Sequence, residues 1–243
     1  MRVYSYLRNR VRARRIERLY AEFVASGDLV FDVGANVGGR VSVFRALGAR
    51  VVAVEPQSSC IEKLRAEWGD DQQVYIEPVA VAAREGTADL HLADVSTIST
   101  LDTSWIDTTS TGRFSDHRWN GIEVVQTTTL DRLIETHGVP AFCKIDVEGF
   151  ELEAIRGLAQ PLAAISFEYT REFDHRVTDC VRHLDDLGMT LFNYSSGESA
   201  RLRGYHRLHR RRSGPWRRAL GDRLSRRHQR LRRLLYQRRG RGL

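Results

Sequence analysis

One stretch, residues 29–39, constrains the fold of this chain more than any other, and it reads LVFDVGANVGG. Four of its first five residues are apolar and partly β-branched, which is typical of a strand buried on both faces. The strand breaks at Gly34, and the apolar residues that recur from Val41 to Leu47 predict a helix after the turn. A strand, a glycine turn and a helix N-terminus in this order predict a pocket for a nucleotide-like ligand.

The residues around the turn indicate which nucleotide-like ligand to expect. A second buried strand, residues 51–54, ends in Glu55, where an acid is the usual hydrogen-bond acceptor for ribose hydroxyls. A pyrophosphate loop reads G-x-G-x-x-G, but Asn36 takes the second glycine position here. The charge of Asp32 would also repel a pyrophosphate and attract a sulfonium. The pattern therefore favours S-adenosylmethionine, with an NAD enzyme as the alternative.

Strand-like and helix-like patterns alternate over residues 28–200, which we interpret as one α/β domain. The expected architecture is a doubly wound, mostly parallel sheet with helices on both faces. The length of 243 residues and the hydrophobic content of 42% suffice for one such core. Residues 1–27 predict an N-terminal amphipathic helix. Residues 94–121, rich in Ser, Thr and Asp but containing Trp105 and Trp119, predict an irregular lid over a substrate.

The formal net charge of +7 conceals a strong asymmetry. Residues 1–20 carry a net charge of +6, residues 21–200 one of −15, and residues 201–243 one of +16. The last part is an Arg-rich C-terminal extension whose leucines recur at helical spacing, which predicts a basic helix. Over residues 216–236 this helix would make peripheral contact with an anionic membrane surface. Binding to a nucleic-acid backbone, docking on the acidic body of this or another copy, and a disordered solubilising end are the alternatives.

Cysteine usage and hydropathy bear on the compartment. Cys60, Cys143 and Cys180 are odd in number, widely spaced and without metal-type spacing, so we predict reduced thiols. No apolar run approaches the roughly 20 residues that a membrane-spanning helix needs, and the basic N-terminus lacks the apolar block of a signal peptide. The sequence therefore predicts a cytoplasmic protein, with any membrane contact peripheral and at the inner face.

A second charged group follows the buried strand predicted at residues 142–146. Lys144, Asp146 and Glu148 stand at its carboxyl end, the edge at which open α/β sheets bind ligands. Because side chains alternate along a strand, Lys144 and Asp146 face the same side. Such a pair would suit the zwitterionic head of an amino-acid-like cofactor or a substrate hydroxyl. A structural ion pair, and helix capping by Glu148, are the alternative interpretations.

Taken together, these motifs resemble those of a known family. FDVGANVG at residues 31–38, Glu55-Pro56, TLD at 129–131 and KIDVEGFE at 144–151 are similar to the FkbM family of S-adenosylmethionine-dependent methyltransferases. The resemblance implies a class I methyltransferase fold, which is Rossmann-like. It also implies an O-methyltransferase that acts on hydroxyls of sugars, polyketides or other secondary metabolites. Arg40 and the Arg-rich C-terminal extension depart from the family pattern.

The resemblance also implies roles for individual residues. The ribose hydroxyls would be held by Glu55, beside Pro56, and the adenine would be flanked by residues 79–81, with Ala80 at their centre. Asp146 would face the methyl group and the substrate. The methionine part of the cofactor would be lined by Asp32, Gly34, Asn36 and Gly38.

Methyl transfer is an in-line displacement, so the enzyme must hold the acceptor hydroxyl in line with the leaving sulfur, and a general base assists. Asp146 is the first candidate for that base, with Glu148 or His117 next, and Lys144 completes the predicted catalytic group. No cluster has metal-ligand spacing, although Asp146 with Glu148 could hold a divalent ion.

We therefore predict a methyltransferase that uses S-adenosylmethionine to modify a hydroxyl on a glycan, glycolipid or secondary metabolite. The Arg-rich extension leaves an RNA methyltransferase as an alternative, and a non-catalytic cofactor-binding scaffold is a third possibility. The sequence does not indicate the acceptor, the methylated position or the oligomeric state.

Overall fold

The structure is a computed structural model and describes residues 13–169, 173–196, 202, 206–207 and 232–237. The strands are β1 Leu29–Val33, β2 Arg50–Val54, β3 Val74–Glu77, β4 Ala80–Val81, β5 Gly86–Ala93, β6 Trp119–Thr128, β7 Phe142–Ile145, β8 Ala164–Tyr169, β9 Leu191–Ser196, β10 His206–Arg207 and β11 Arg232–Gln237. The helices are α1, described over residues 13–20, α2 Val41–Ala46, α3 Ser58–Trp68, α4 Thr103–Ser110, α5 Leu130–His137, α6 Glu151–Arg156 and α7 Asp174–Asp186, with a 3₁₀ turn at Ser96–Ile98.

Within the described residues, eight strands form the main sheet, in the order β10-β9-β11-β8-β7-β1-β2-β3. β3, β2, β1, β7 and β8 are parallel, whereas β11 is antiparallel to both of its neighbours. The chain builds the sheet outward from β1 to β3 on one side and from β7 to β8 on the other. This topology confirms the predicted doubly wound, mostly parallel sheet. In such sheets the ligand lies at the carboxyl ends of the strands where the order reverses, here between β1 and β7.

Alternate side chains of the central strands enter two separate cores. Phe31 and Ile145 pack on the face covered by α5, α6 and α7, whereas Val30 and Phe142 pack on the face covered by α1 and α2. All five residues of β1 are buried, as the nearly continuous apolar run predicted. Asp32 is therefore held inside the second core, and only another buried polar group can compensate its charge.

The predicted lid, residues 94–121, contains more regular structure than the sequence indicated. It includes the 3₁₀ turn and α4, and its last residues begin β6, which pairs with β5 and β4 in a second, smaller sheet. Trp105 is 1% exposed and packs against the rings of Phe114 and Trp119. This aromatic cluster gives the segment a core of its own. We call residues 94–118 the β5–β6 segment.

The prediction of a helix in the C-terminal extension is wrong for Arg232–Gln237, which form β11. These six residues form an antiparallel strand inserted between β8 and β9, with Leu235 in register with both Ser166 and Asn193. Part of the predicted extension therefore completes the central sheet. Backbone groups at an open position between two strands gain hydrogen bonds on both sides, and this gain overrides the helical spacing of the leucines. Residues 208–231, which include most of the predicted membrane-contact segment, lie outside the described residues.

The described part of the chain also tests the predictions for the N-terminal helix, for the three cysteines and for membrane-spanning helices. A helix is present at residues 13–20, whereas residues 21–27 of the predicted N-terminal helix are turns and loop, and the residues before 13 lie outside the description. Cys60, Cys143 and Cys180 are buried free thiols, as predicted. Among the described residues, no helix has both the length and the apolar character needed to cross a membrane.

Candidate active site

A cavity of about 470 Å³ lies at the carboxyl ends of β1, β2 and β7, where the strand order reverses. Its walls come from the turns that follow these three strands, from β4 and from the β5–β6 segment. The sheet thus places FDVGANVG at residues 31–38 and KIDVEGFE at residues 144–151, which are more than 100 residues apart, on one surface. This is the position at which a doubly wound fold binds a nucleotide-like ligand.

The turn after β1 approaches the end of β7 too closely to admit a side chain at Gly34. The φ of Gly34 is +76°, and a Cβ there would lie 1.9 Å from the carbonyl oxygen of Asp146. The Gly34 N–H donates to the Val54 carbonyl at 2.9 Å, and the Asp146 N–H donates to the Val33 carbonyl at 3.0 Å. Gly34 therefore allows the ends of β1, β2 and β7 to meet as the floor of the cavity.

The backbone conformation and the hydrogen bonds of Asn36 show how the second position of the glycine pattern accommodates a side chain. Its φ is +49°, in the left-handed region that Asn tolerates better than most residues. Its Oδ1 accepts the Val37 N–H at 2.9 Å, and its Nδ2 donates to Ser96 Oγ at 3.2 Å. Asn36 thus links the turn to the β5–β6 segment.

Glu55 presents a hydrogen-bonded carboxylate to the cavity. Its two oxygens accept the Asn36 N–H at 2.8 Å and the Gln57 N–H at 2.9 Å. Burial raises the pKa of Glu55, and the two backbone N–H groups oppose this shift. Each carboxylate oxygen has a second lone pair, so the group can still accept hydrogen bonds from two ligand hydroxyls.

Lys144 joins two carboxylates beneath the cavity. Its Nζ lies 3.0 Å from Asp32 Oδ1 and 3.4 Å from Asp146 Oδ2. Asp32 and Lys144 are register partners in β1 and β7, so their side chains leave the sheet on the same face. The Asp32 side chain is fully buried, whereas that of Asp146 is 20% exposed. The predicted structural ion pair is therefore present, and it includes Asp32 as well.

Three carboxylates converge beside this ion pair. One oxygen each from Asp146, Glu148 and Glu168 lie within 4.8 Å of one another, close enough for a single cation to contact all three. Burial, followed by the charges of Asp146 and Glu151, raises the pKa of Glu148 well above its usual value. Protonation of Glu148 thus relieves the repulsion in the group.

Glu151 supports the turn that carries Glu148. Its carboxylate accepts the N–H groups of Val147 at 3.2 Å and Gly149 at 3.3 Å. Glu148, between them, has a φ of +48°, a conformation that costs a non-glycine residue about 1 kcal/mol and that its surroundings must hold. The acids at the start of α6 thus differ in role, because Glu151 holds the turn and Glu148 faces the cavity.

The pKa of Glu151 predicts a pH-dependent stability. Burial raises it from 4.5 to about 7, so the folded protein binds this proton more tightly than the unfolded chain. Stability should therefore fall as pH rises from about 4.5 to about 7 and then level off. As the pH rises from about 4.5 to about 7, the free energy of unfolding of wild type should fall by about 3 kcal/mol more than that of Glu151→Gln. Urea unfolding at both pH values measures this difference, and a pH-independent difference would contradict it.

The β5–β6 segment is fastened to the same turn. Thr100 Oγ1 donates to the Glu148 carbonyl at 2.7 Å. The Trp105 ring packs on Gly149, where a Cβ would lie 2.3 Å from the ring. Arg176 of α7 donates to the Gly149 carbonyl at 2.8 Å and also pairs with Asp102 of the segment. The segment therefore contacts both the turn after β1, through Asn36, and the turn after β7, through Glu148.

Most of the residues predicted from the sequence line the cavity, and they are Gly34, Asn36, Glu55, Pro56, residues 79–81, Lys144, Asp146 and Glu148. Asp32 lies beneath the surface, paired with Lys144, and Gly38 does not line the cavity either. A Cβ at Gly38 would lie 2.7 Å from the Trp68 side chain, so this glycine serves packing on α3. His117 is bonded to Asp94 at 2.8 Å and is absent from the wall. The roles assigned to these residues stay predictions.

Sequence reasoning missed two charged residues of the wall, Glu168 and Arg113. Glu168 is in β8, whose carboxyl end lies at the same edge as that of β7, and comparing strand ends would have found it. Arg113 is in the β5–β6 segment, far from either motif, and no local pattern singles it out.

Comparisons with known proteins show which family this chain is similar to. The model of the Methyltransferase FkbM domain matches residues 32–188. The hexuronic acid methyltransferase AglP of Haloferax volcanii is 27% identical over 152 residues, which is 62% of this chain and 58% of that protein. The chain thus matches less than two thirds of the length of this relative.

Two solved structures illustrate the structural similarity. Precorrin-6y C5,15-methyltransferase from Geobacter metallireducens GS-15 has a TM-score of 0.45 and 11% identity, over 95% of this chain and 88% of that one. Precorrin 8w decarboxylase from Methanobacterium thermoautotrophicum has a TM-score of 0.47 and 13% identity, over 92% and 89% of the two chains.

Proposed function

Because this chain belongs to the FkbM methyltransferase family and has a Rossmann-like class I methyltransferase fold, we propose that it uses S-adenosylmethionine to methylate a hydroxyl of a glycan. The observation that carries the proposal is the cavity, with a hydroxyl-accepting carboxylate at Glu55 and a cation-paired carboxylate at Asp146 on its walls. The name of the AglP relative supports a sugar as the acceptor.

The residues on the cofactor side fit S-adenosylmethionine. Glu55 keeps free lone pairs for the two ribose hydroxyls. Residues 79–81 with Leu90 and Ile98 give an apolar wall suited to a flat base. The side chain of Asn36 stands where a pyrophosphate would need a glycine. These features favour a nucleoside with an amino-acid tail over a dinucleotide.

The acceptor side supplies the groups that methyl transfer to oxygen needs. When bound, S-adenosylmethionine supplies a methyl group on a positively charged sulfur. Asp146, held by Lys144, lies at the edge of the sheet where it can accept a hydrogen bond from the acceptor hydroxyl and orient its oxygen. Glu148 lies beside Asp146 on the cavity wall, and in its ionised form it can take the hydroxyl proton, since the raised pKa makes its carboxylate a stronger base.

The proposal predicts which class of molecule takes up the label from methyl-labelled S-adenosylmethionine. Incubation of the purified protein with fractionated extract of the source organism should place label in carbohydrate, as a methyl ether that survives mild alkali. Label in RNA would support the RNA methyltransferase alternative. Cofactor binding without any transfer would support the scaffold interpretation.

We expect Glu55→Gln to weaken binding of S-adenosylhomocysteine by at least about tenfold, since a charge-assisted hydrogen bond contributes roughly 1.5–3 kcal/mol. The amide replaces one carboxylate oxygen with an NH₂ group, which cannot accept the backbone N–H that this oxygen now accepts. Titration calorimetry measures the change. Glu62→Gln, on the exposed face of α3, removes the same charge away from the cavity and is the control. Equal affinities for both variants would remove Glu55 from the cofactor site.

A further inference from the structure

Arg113 places a cation at the wall of the cavity, close enough to Glu148 for the two charges to interact. Its guanidinium carbon lies 4.8 Å from the centroid of the Phe114 ring, so the aromatic face supports the planar group. In the part of the chain that the structure describes, this guanidinium forms no hydrogen bond and no ion pair. Its five N–H donors are therefore available to a ligand.

Other cations at or near the cavity, including Arg40 on its wall, are engaged within the protein. Lys144 is buried between Asp32 and Asp146. Arg176 is bonded to Asp102 and to the Gly149 carbonyl. These groups hold the site in shape, so an anionic ligand would find its best partner at Arg113. The planar fork of an arginine matches the two oxygens of a carboxylate.

The rest of the acceptor side has the opposite character. Asp146, Glu148 and Glu168 offer oxygen acceptors, which suit hydroxyl donors and repel an anion placed directly beside them. The cavity therefore fits a ligand that offers hydroxyls to the carboxylates and one negative group to Arg113. A sugar acid has these groups, whereas a neutral sugar can offer Arg113 only hydroxyl oxygens, which are weaker acceptors than a carboxylate.

We propose that Arg113 binds the carboxylate of an acidic sugar, of the hexuronate type, and so selects the acceptor. This inference rests on the proposed function, because it assigns the acceptor of the same site. The carboxylate is the anchor, and a ring hydroxyl facing Asp146 is the group that receives the methyl. Transfer forms a carbon–oxygen bond, breaks the carbon–sulfur bond of the donor and leaves the hydroxyl proton with a carboxylate of the site.

The experiment compares two probes that differ in one group, p-nitrophenyl β-D-glucuronide and p-nitrophenyl β-D-glucoside. Titration calorimetry is done on the full chain saturated with S-adenosylhomocysteine. We expect wild type to bind the glucuronide at least about tenfold more tightly than the glucoside, since hydrogen bonds between charged groups contribute more than neutral ones. Arg113→Gln should abolish this preference. Arg118→Gln removes the same charge from the same segment outside the cavity wall and should keep it.

Three binding results would overturn the proposal. The first is equal binding of the two probes by wild type, or no detectable binding of either, and the second is a preference that survives in Arg113→Gln. The third is tighter binding of glucose 6-phosphate than of glucuronate. Transfer of label to the carboxylate itself, seen as an alkali-labile ester, would also overturn it. Failure of the proposed function is distinct, because the protein would then not bind S-adenosylhomocysteine or would place label outside carbohydrate.

Discussion

Replacement of Gly34 by alanine should abolish measurable S-adenosylhomocysteine binding and destabilise the fold by about 3 kcal/mol or more. Two costs combine at this position. The φ of +76° disfavours any side chain, and a Cβ 1.9 Å from the Asp146 carbonyl oxygen forces the ends of β1 and β7 apart. The separation would move Glu55 and Asp146, the two sides of the site, relative to each other. Thermal unfolding and titration calorimetry measure the two effects.

Gly27→Ala is the matched control for this prediction. Gly27 has a similar φ of +86°, but a Cβ there would meet nothing within 4 Å. The variant thus retains the backbone cost, about 1 kcal/mol, and lacks the clash. If Gly34→Ala were no less stable than Gly27→Ala and bound the cofactor product normally, the close approach of the two strand ends would not matter for the site.

Replacement of Lys144 by methionine should cost about 3–5 kcal/mol of unfolding free energy, because it leaves Asp32 as a buried charge without its cation. Asp32 is fully buried, and Lys144 Nζ is 3.0 Å from its Oδ1. The free energy of unfolding from urea titration should fall by this amount. Turnover should fall as well, since Asp146 loses the cation that holds its carboxylate.

The double variant Asp32→Asn with Lys144→Met separates the charge from the packing. With both charges removed, the buried charge of Asp32 is gone, and Asp146 is exposed enough to be hydrated. We expect most of the lost stability to return while turnover stays low. A single Lys144→Met variant within about 1 kcal/mol of wild type would show that the buried ion pair contributes little.

Much of this protein could be predicted from local patterns. The run at residues 29–33 specified a buried strand because its apolar side chains have no polar face to present to water. Gly34 and Asn36 marked a turn with left-handed backbone, and Lys144 with Asp146 marked a charged strand end. In each case, the signal lies within a few neighbouring residues.

Two misjudged segments show where local patterns are insufficient. The β5–β6 segment has a polar composition typical of a loop, yet Trp105 buries its ring against Phe114 and Gly149 and so stabilises a helix. In the C-terminal extension, helical spacing of leucines predicted a helix where the open position between β8 and β9 makes a strand. In both, contacts with distant residues outweigh propensities of a few tenths of a kcal/mol per residue.

The sequence was sufficient to establish the strand–turn–helix that begins the domain, the order of its units and the acids at Glu55 and Asp146, because these depend on short-range periodicity and on single glycines. The arrangement of the site required the fold. Strand pairing places Asp32 beside Lys144 and brings Glu168 to Asp146, and the β5–β6 segment carries Arg113 to the wall of the cavity. Those neighbours are set by which strands share hydrogen bonds and which faces share a core, and neither is specified by residues adjacent in the chain.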